Sequence, residues 1–305
     1  MAEPFEIKYY NRNTNKEEIE KVYGHKAIEF AYGSAIGKSI GPIIASKFVS
    51  KFYGSSQDSI KSAGKVPGFI KDFSIQIDDF KKGSLPEQPV DYSYKSFNEF
   101  FIREFKDGKR KFAQAGEYLS ACAEARYFGY EAINDSLKVP VKGSMLAANE
   151  LLQNEKWGDT FKGGPLVIAR LCPVDYHRYH YSDDGDTLDH YNIDGNLHSV
   201  NPVALKHRPD IFIKNERRVS IVETKHFGKL AYIEVGATCV GKIVQSYDET
   251  KAHKSGDEKG YFLFGGSTVI VCGEPGKWKP SSDMITNTMK GIETYIHLGD
   301  EMGVL

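Results

Sequence analysis

Cysteine is scarce in this chain of 305 residues: Cys122, Cys172, Cys239 and Cys272 are the four, widely separated and each among apolar neighbours. With no C-x-x-C pair, a zinc ribbon and a thioredoxin-like motif are excluded, and buried free thiols in a reducing compartment are expected. Net charge is also missing. The 40 basic residues face 41 acidic ones, so the basic surplus of a nucleic-acid-binding protein is absent. No apolar run approaches the roughly 20 residues that cross a bilayer. The opening MAEPFEIKYYNRNTNKEEIEK has neither the apolar core of a secretory signal nor the Arg-rich, acid-poor character of a transit peptide. A cytoplasmic chain is expected, with any membrane contact peripheral. Internal repeats and low-complexity tracts are lacking too.

What is present divides into zones. Residues 16 to 53 read as helical, with Ile36, Ile40, Ile43, Ile44, Phe48 and Phe52 at helical spacing and a break at Gly41-Pro42. Between residues 25 and 71 there are seven lysines against Glu29 and Asp58. Such a basic amphipathic region suits the surface of an anionic membrane, or equally a helix packed on the protein with solvated lysines. Residues 54 to 92 read as loop-rich with a short helix near Phe69 to Phe80. In SYKSFNEFFIREFKDGKRKF, Ser96 is placed to cap a helix with Glu99 three residues on, and Phe97, Phe100, Phe101 and Phe105 supply an apolar face. From 118 to 275 short β-branched and aromatic runs dominate: PLVIARL, RRVSIVET, LAYIEVGATCVGKIV and YFLFGGSTVIVC. A last helix is expected around Asp283 to Ile292. The fold class is therefore α+β, with N-terminal amphipathic helices followed by a β-rich, sandwich- or barrel-like body. Residues 1–92 are expected to form a helical membrane-docking region and 93–305 a second domain.

Two stretches carry the chemistry. In GYFLFGGSTVIVCGEPG a Gly-Gly-Ser-Thr interrupts a β run, which taken alone reads as a hairpin turn. PVDYHRYHYSDDGDTLDHYNIDGNLHS gathers Asp175, His177, His180, His190 and His198, five residues that include four of the nine histidines. Imidazole and carboxylate together suit a divalent metal, but H-x-x-H off a helix is weak spacing for one. A general acid or base histidine and ordinary structural histidines are the other two readings.

Six segments, SFNEFFIREFKDGKR, VKGSMLAANELL, ARLCPVDYHRYH, GNLHSVNP, FGKLAYIEVGATCVGKI and EKGYFLFGGSTVIV, stand in an order and spacing that resembles the phosphatidylserine decarboxylase family, from about Tyr94 to Cys272. The resemblance implies a pyruvoyl-dependent proenzyme that cuts its own Gly266-Ser267 bond, leaving a β chain ending at Gly266 and an α chain beginning at Ser267. The pyruvoyl group made from Ser267 is the implied cofactor, with no metal. Its ketone would condense with the amine of phosphatidylserine and draw off the electrons left by carbon dioxide, giving phosphatidylethanolamine. His177, first histidine of D-Y-H-R-x-H, is the implied base for Ser267 and proton donor afterwards. His180, His198 and Tyr176 are the expected substrate-binding residues. The family's P-A-D-G element stands here as Cys122-Ala123-Glu124-Ala125, so Glu124 is the expected carboxylate partner of the base, with Asp175 as the alternative. A second departure is His198, where the family has an aromatic residue. The implied partners are an anionic membrane containing phosphatidylserine, at its cytoplasmic face, and a second copy in a homodimer. The same chemistry also fits decarboxylation of a free aromatic amino acid, and loss of the Asp fits an uncleaved lipid-binding pseudoenzyme.

Overall fold

The computed structural model describes residues 6–21, 54–114, 116–132, 138–139, 144–145, 147–208, 210–237, 242–265 and 267–305. The helices expected over 22–53, the residues Cys239 and Gly266 and most of VKGSM lie outside the described residues.

Among those residues the body is a nine-stranded, open sheet. Its strands are β1 (Lys8–Asn11), β2 (Lys16–Ile19), β4 (Ala125–Tyr130), β7 (Leu166–Leu171), β9 (Gly185–Ile193), β10 (Arg217–Thr224), β11 (Lys229–Val235), β14 (Ser267–Gly273) and β16 (Glu293–Ile296). Their order is β2-β1-β16-β4-β7-β14-β11-β10-β9. The α+β, β-rich class holds, but the sheet does not close into a barrel. The central strands β7 and β14 are short, mainly apolar runs and are buried along their whole length, as such runs require. β9 alternates exposed and half-buried positions, which suits a strand at the edge. Smaller sheets join β12 (Ile243–Gln245), β13 (Glu258–Phe262) and β8 (Arg178–His180), then β15 (Lys279–Pro280), β17 (Glu301–Val304) and β3 (Leu119–Ser120), and finally β5 (Lys138–Val139) and β6 (Ser144–Met145).

The N-terminus corrects the sequence reading. Residues 16–19, expected to begin a helix, form β2 instead. NRNTN turns the chain, with Asn15 in the left-handed region at φ 54°, and Tyr9 donates to Glu18 Oε2 across the hairpin at 2.7 Å. β1 then runs parallel to β16, so pairing with a distant strand overrides the helix propensity of KEEIEK.

Helices are short: α1 (Val66–Phe73), α2 (Phe97–Phe101), α3 (Ala148–Leu152), α4 (Glu155–Phe161), α5 (Pro202–His207), α6 (Ile211–Lys214) and α7 (Ser282–Met289) among the described residues. α1 lies earlier than the helix expected near Phe69 to Phe80. Ser96 caps α2 as expected, its hydroxyl accepting from Glu99 N at 3.1 Å. The Glu99 carboxylate turns to Lys95 N and Ser84 N, so the reciprocal half of a capping box to Ser96 N is not formed. α2 stops after five residues and the chain runs on extended, because Phe105 must reach Phe80, stacked at 4.4 Å. An aromatic cluster of Phe69, Tyr94, Phe97, Phe100, Phe101 and Phe264 fixes α2 against the loop that leads into β14.

Candidate active site

The Gly-Gly-Ser-Thr stretch is not a hairpin. β13 belongs to the small sheet with β8, and β14 to the centre of the large one, so the chain passes from one sheet to the other between Phe262 and Ser267. Gly265 has φ 150°, a backbone state that side chains rarely adopt, which accounts for a glycine there. Asn98 of α2 accepts the Phe264 amide at 2.8 Å and donates to Asp58 Oδ1 at 2.8 Å, so the run into Ser267 is pinned from outside.

Ser267 opens β14 opposite Leu171 of β7 and is wholly buried. The chain after β7 turns at Cys172–Asp175, where Asp175 N donates to the Cys172 carbonyl at 2.8 Å and Asp175 Oδ2 accepts Cys172 N at 2.7 Å. This turn delivers His177, whose Nδ1 lies 3.2 Å from Ser267 Oγ. His177 Nε2 lies 2.9 Å from the Cys172 carbonyl. A carbonyl only accepts, so Nε2 carries the hydrogen and Nδ1 presents its lone pair to the serine hydroxyl. Phe101 stacks on the imidazole at 3.8 Å and Phe262 N holds the His177 carbonyl at 2.9 Å. Burial, helped by the Arg103 charge and opposed by the Cys172 carbonyl, brings the His177 pKa down to about 3. The imidazole is therefore neutral near pH 7.

The expected carboxylate partner is elsewhere. Glu124 accepts from Arg110 Nη2 at 2.7 Å, Tyr295 Oη at 3.1 Å and Leu298 N at 3.4 Å, not from His177. Asp175 is committed to Arg126 Nη1, 2.6 Å away, as well as to Cys172 N. The Cys172 main-chain carbonyl does what a carboxylate was expected to do.

His180 follows three residues after His177 and points away, as alternation along a strand demands. Its Nδ1 donates to the Gly256 carbonyl at 2.8 Å, which leaves Nε2 to accept from Tyr176 Oη at 3.2 Å. Tyr176 also packs on Phe80 and Phe105. The structure thus joins Tyr176 to His180, and His177 to Ser267, as two separate pairs. His198 is buried beside Arg208, 2.8 Å from its Nε2, while its backbone exchanges hydrogen bonds with the Asn215 amide. Burial and the Arg208 charge push its pKa down, so it accepts as a neutral ring. No hydrogen bond ties it to Ser267 or His177.

Sequence reasoning missed Arg103, Arg126 and Arg170. Arg103 is buried over the Phe80 and Phe100 rings and donates to the carbonyls of Val174 and Asp175 at 2.9 and 3.1 Å, bracing the turn before His177. An arginine inside an aromatic run (FFIREF) and two arginines in strands of apolar residues were the available signals. No cluster of metal-ligating side chains exists among the described residues. No described helix is long and apolar enough to cross a membrane.

The family model described as phosphatidylserine decarboxylase matches residues 97–303. The chain is 39% identical over 297 residues to the phosphatidylserine decarboxylase proenzyme of Clostridium tetani, covering 97% of this chain and 98% of that one. To the proteins of the same description from Clostridium novyi and Desulfitobacterium hafniense it is 40% and 38% identical, over 97% and 98% of its length and 99% and 98% of theirs.

Proposed function

The chain belongs to the phosphatidylserine decarboxylase family, and from that premise we propose that it removes carbon dioxide from phosphatidylserine after cutting its own chain before Ser267. The observation that carries this reading is the buried pair of His177 Nδ1 and Ser267 Oγ at 3.2 Å, with the tautomer set by the Cys172 carbonyl. His177 takes the hydroxyl proton as Oγ bonds to the Gly266 carbonyl carbon. The C–N bond breaks and the proton passes to the departing nitrogen, leaving an ester. Loss of the Ser267 α-proton then breaks the Cβ–Oγ bond, releasing Gly266 as a carboxylate and leaving dehydroalanine, whose imine tautomer water hydrolyses to a ketone and ammonia. The ketone so formed supplies the group that takes the substrate amine and accepts the electrons left by carbon dioxide. The residues fit such a group: Ser267 at the head of β14 is wholly buried beside His177, which Phe101 backs, and stands two residues after the φ 150° glycine.

His177, freed of its serine partner, is the group placed to hand a proton back at that atom. Tyr176 and His180 are proposed to orient the substrate from the adjoining aromatic cluster, and His198 to shape it from further off. For membrane access, residues 1–92 are proposed to dock on an anionic surface, where Ile60, 81% exposed, stands beside Lys61. Phosphatidylserine vesicles should then carry the protein on flotation, whereas neutral vesicles should not.

A second reading has one observation in its favour: Glu124 is turned to Arg110 and Asp175 to Arg126, so neither carboxylate stabilises a protonated His177. In that reading the chain stays whole and only binds lipid. The intact mass of the denatured protein decides. Two chains divided before Ser267, absent in Ser267→Ala, support the enzyme; one persistent full-length chain supports the binder.

A further inference from the structure

The N-terminal hairpin reaches into the ground beneath the site. Glu20 follows β2 and is buried, its amide bonded to the Ile7 carbonyl at 2.8 Å. Its carboxylate receives Arg170 of β7, with Nη2 at 2.6 Å from Oε2 and Nη1 at 3.3 Å from Oε1. Oε2 also lies 3.2 Å from Arg126 Nε of β4. Each guanidinium has a second task. Arg126 Nη1 holds Asp175 Oδ2 at 2.6 Å, and Arg170 Nη1 lies 2.9 Å from Cys172 Sγ. Arg170 also grips Glu293 of β16, with Nε at 2.8 Å from Oε1 and Nη2 at 2.6 Å from Oε2.

Two buried arginines side by side repel, and their remaining partners pull them apart, Asp175 toward the turn and Glu293 toward β16. Glu20 sits between them and, among the described residues, is the one carboxylate bound to both. We propose that Glu20 is a positioning residue for self-cleavage, holding Arg126 and Arg170 so that the Cys172–Asp175 turn presents the Cys172 carbonyl to His177. The route is continuous: Glu20 to Arg126, Arg126 to Asp175, Asp175 to the Cys172 amide, the Cys172 carbonyl to His177 and His177 to Ser267. This inference rests on the reading of His177 as base. Burial pushes the Glu20 carboxyl up, but Arg170 and Arg126 outweigh it and bring it down to about 2, so the carboxylate is charged wherever the protein works.

The test follows labelled full-length precursor from cell-free synthesis through its cutting on denaturing gels. Glu20→Gln, which keeps shape and loses charge, should slow cutting at least about tenfold, in line with the cost of small misplacements far from the chemistry. Glu20→Asp should recover part of the rate, a rescue that a merely space-filling role would not give. Ser267→Ala with and without Glu20→Gln reports folding by near-ultraviolet circular dichroism. A folded Glu20→Gln precursor that cuts within about twofold of the native rate overturns the proposal, since misplacement of the base by even a fraction of an ångström should exceed that. If Glu20→Gln does not fold, Glu20→Asp decides: slowed cutting supports the proposal and native cutting overturns it. His177→Ala runs in parallel. Native-rate cutting there removes the base reading itself, whereas blocked cutting there beside native cutting in Glu20→Gln removes only the role of Glu20.

Discussion

Two buried charge clusters among the described residues are built from the same chemistry and wired differently. The one under the site joins Glu20, Arg126, Arg170, Asp175 and Glu293, drawn from the N-terminal hairpin, three strands and a turn. The other centres on Lys259, fully buried, with Glu234 Oε1 at 3.0 Å, Ser220 Oγ at 2.9 Å, Gln245 Oε1 at 2.7 Å and Glu249 Oε1 at 3.4 Å. Arg218 closes it by pairing with Glu249. All its members lie between residues 218 and 259, on one side of the proposed cut. The first cluster spans the cut, because Glu293 belongs to the piece that begins at Ser267. Burying charge is a poor route to stability, so what such a cluster fixes is geometry. Here one cluster is proposed to fix the reacting turn, and the other ties β12 and β13 of the small sheet to β10 and β11 of the large one.

Breaking the second cluster gives the largest effect expected. Lys259→Met takes the cationic partner from buried Glu234, while Glu249 keeps Arg218, and should cost about 3–5 kcal/mol, read from the urea midpoint in a Ser267→Ala background. The precursor that does fold should cut itself at the native rate; slowed cutting would erase the distinction drawn between the clusters. Acid sharpens the contrast next. An unfolded histidine takes up a proton near pH 6.5, but His177 in the fold resists until about 3, so stability is lost as pH falls through that window. Glu20, held down to about 2, gives up its stabilisation only as pH falls from the unfolded carboxylate range toward that value. Between pH 6.5 and 4.5, therefore, His177→Gln in the uncut protein should flatten the acid limb of the stability curve, and Glu20→Gln should not.

Smaller effects probe the hairpin. Arg12 of the hairpin turn binds both oxygens of Asp283 at 2.8 Å and Ser281 Oγ at 2.8 Å, all on the far side of the cut. Arg12→Ala should weaken that hold by about 1 kcal/mol, a modest figure because Asp283 is partly solvated. In cut protein it should lower the urea concentration at which the small chain sediments apart. Ser96→Ala should cost about 1 kcal/mol through the lost cap of α2. Since Phe101 of that helix stacks on His177, a slight slowing of cutting should accompany the fall in thermal midpoint.

The strands of the body were legible because LVIARL, RRVSIVET and STVIVC are rich in apolar and β-branched residues, and burial of such runs needs no knowledge of their partners. The cap at Ser96 and the Ser267–His177 pairing were legible from local signals and from the family resemblance. What escaped depended on contacts across the chain. KEEI became a strand because β16 lies beside β1, some 280 residues away along the chain. Glu124 was drawn off by Arg110, Tyr295 and Leu298, and no spacing rule anticipates that a main-chain carbonyl orients the base instead. The GGST stretch looked like a hairpin because nothing local says that its two strands enter different sheets.

β14 lies in the middle of the large sheet, hydrogen-bonded to β7 on one side and β11 on the other. A strand is inserted there easily while it is tethered, since the loop to β13 is only a few residues long. After the proposed cut the same insertion would require two separate molecules to meet and interleave. The mature protein is therefore a structure that its own pieces cannot readily rebuild: heat or denaturant would take it apart once, and its endurance would be governed by the rate of opening rather than by a balance between folded and unfolded forms.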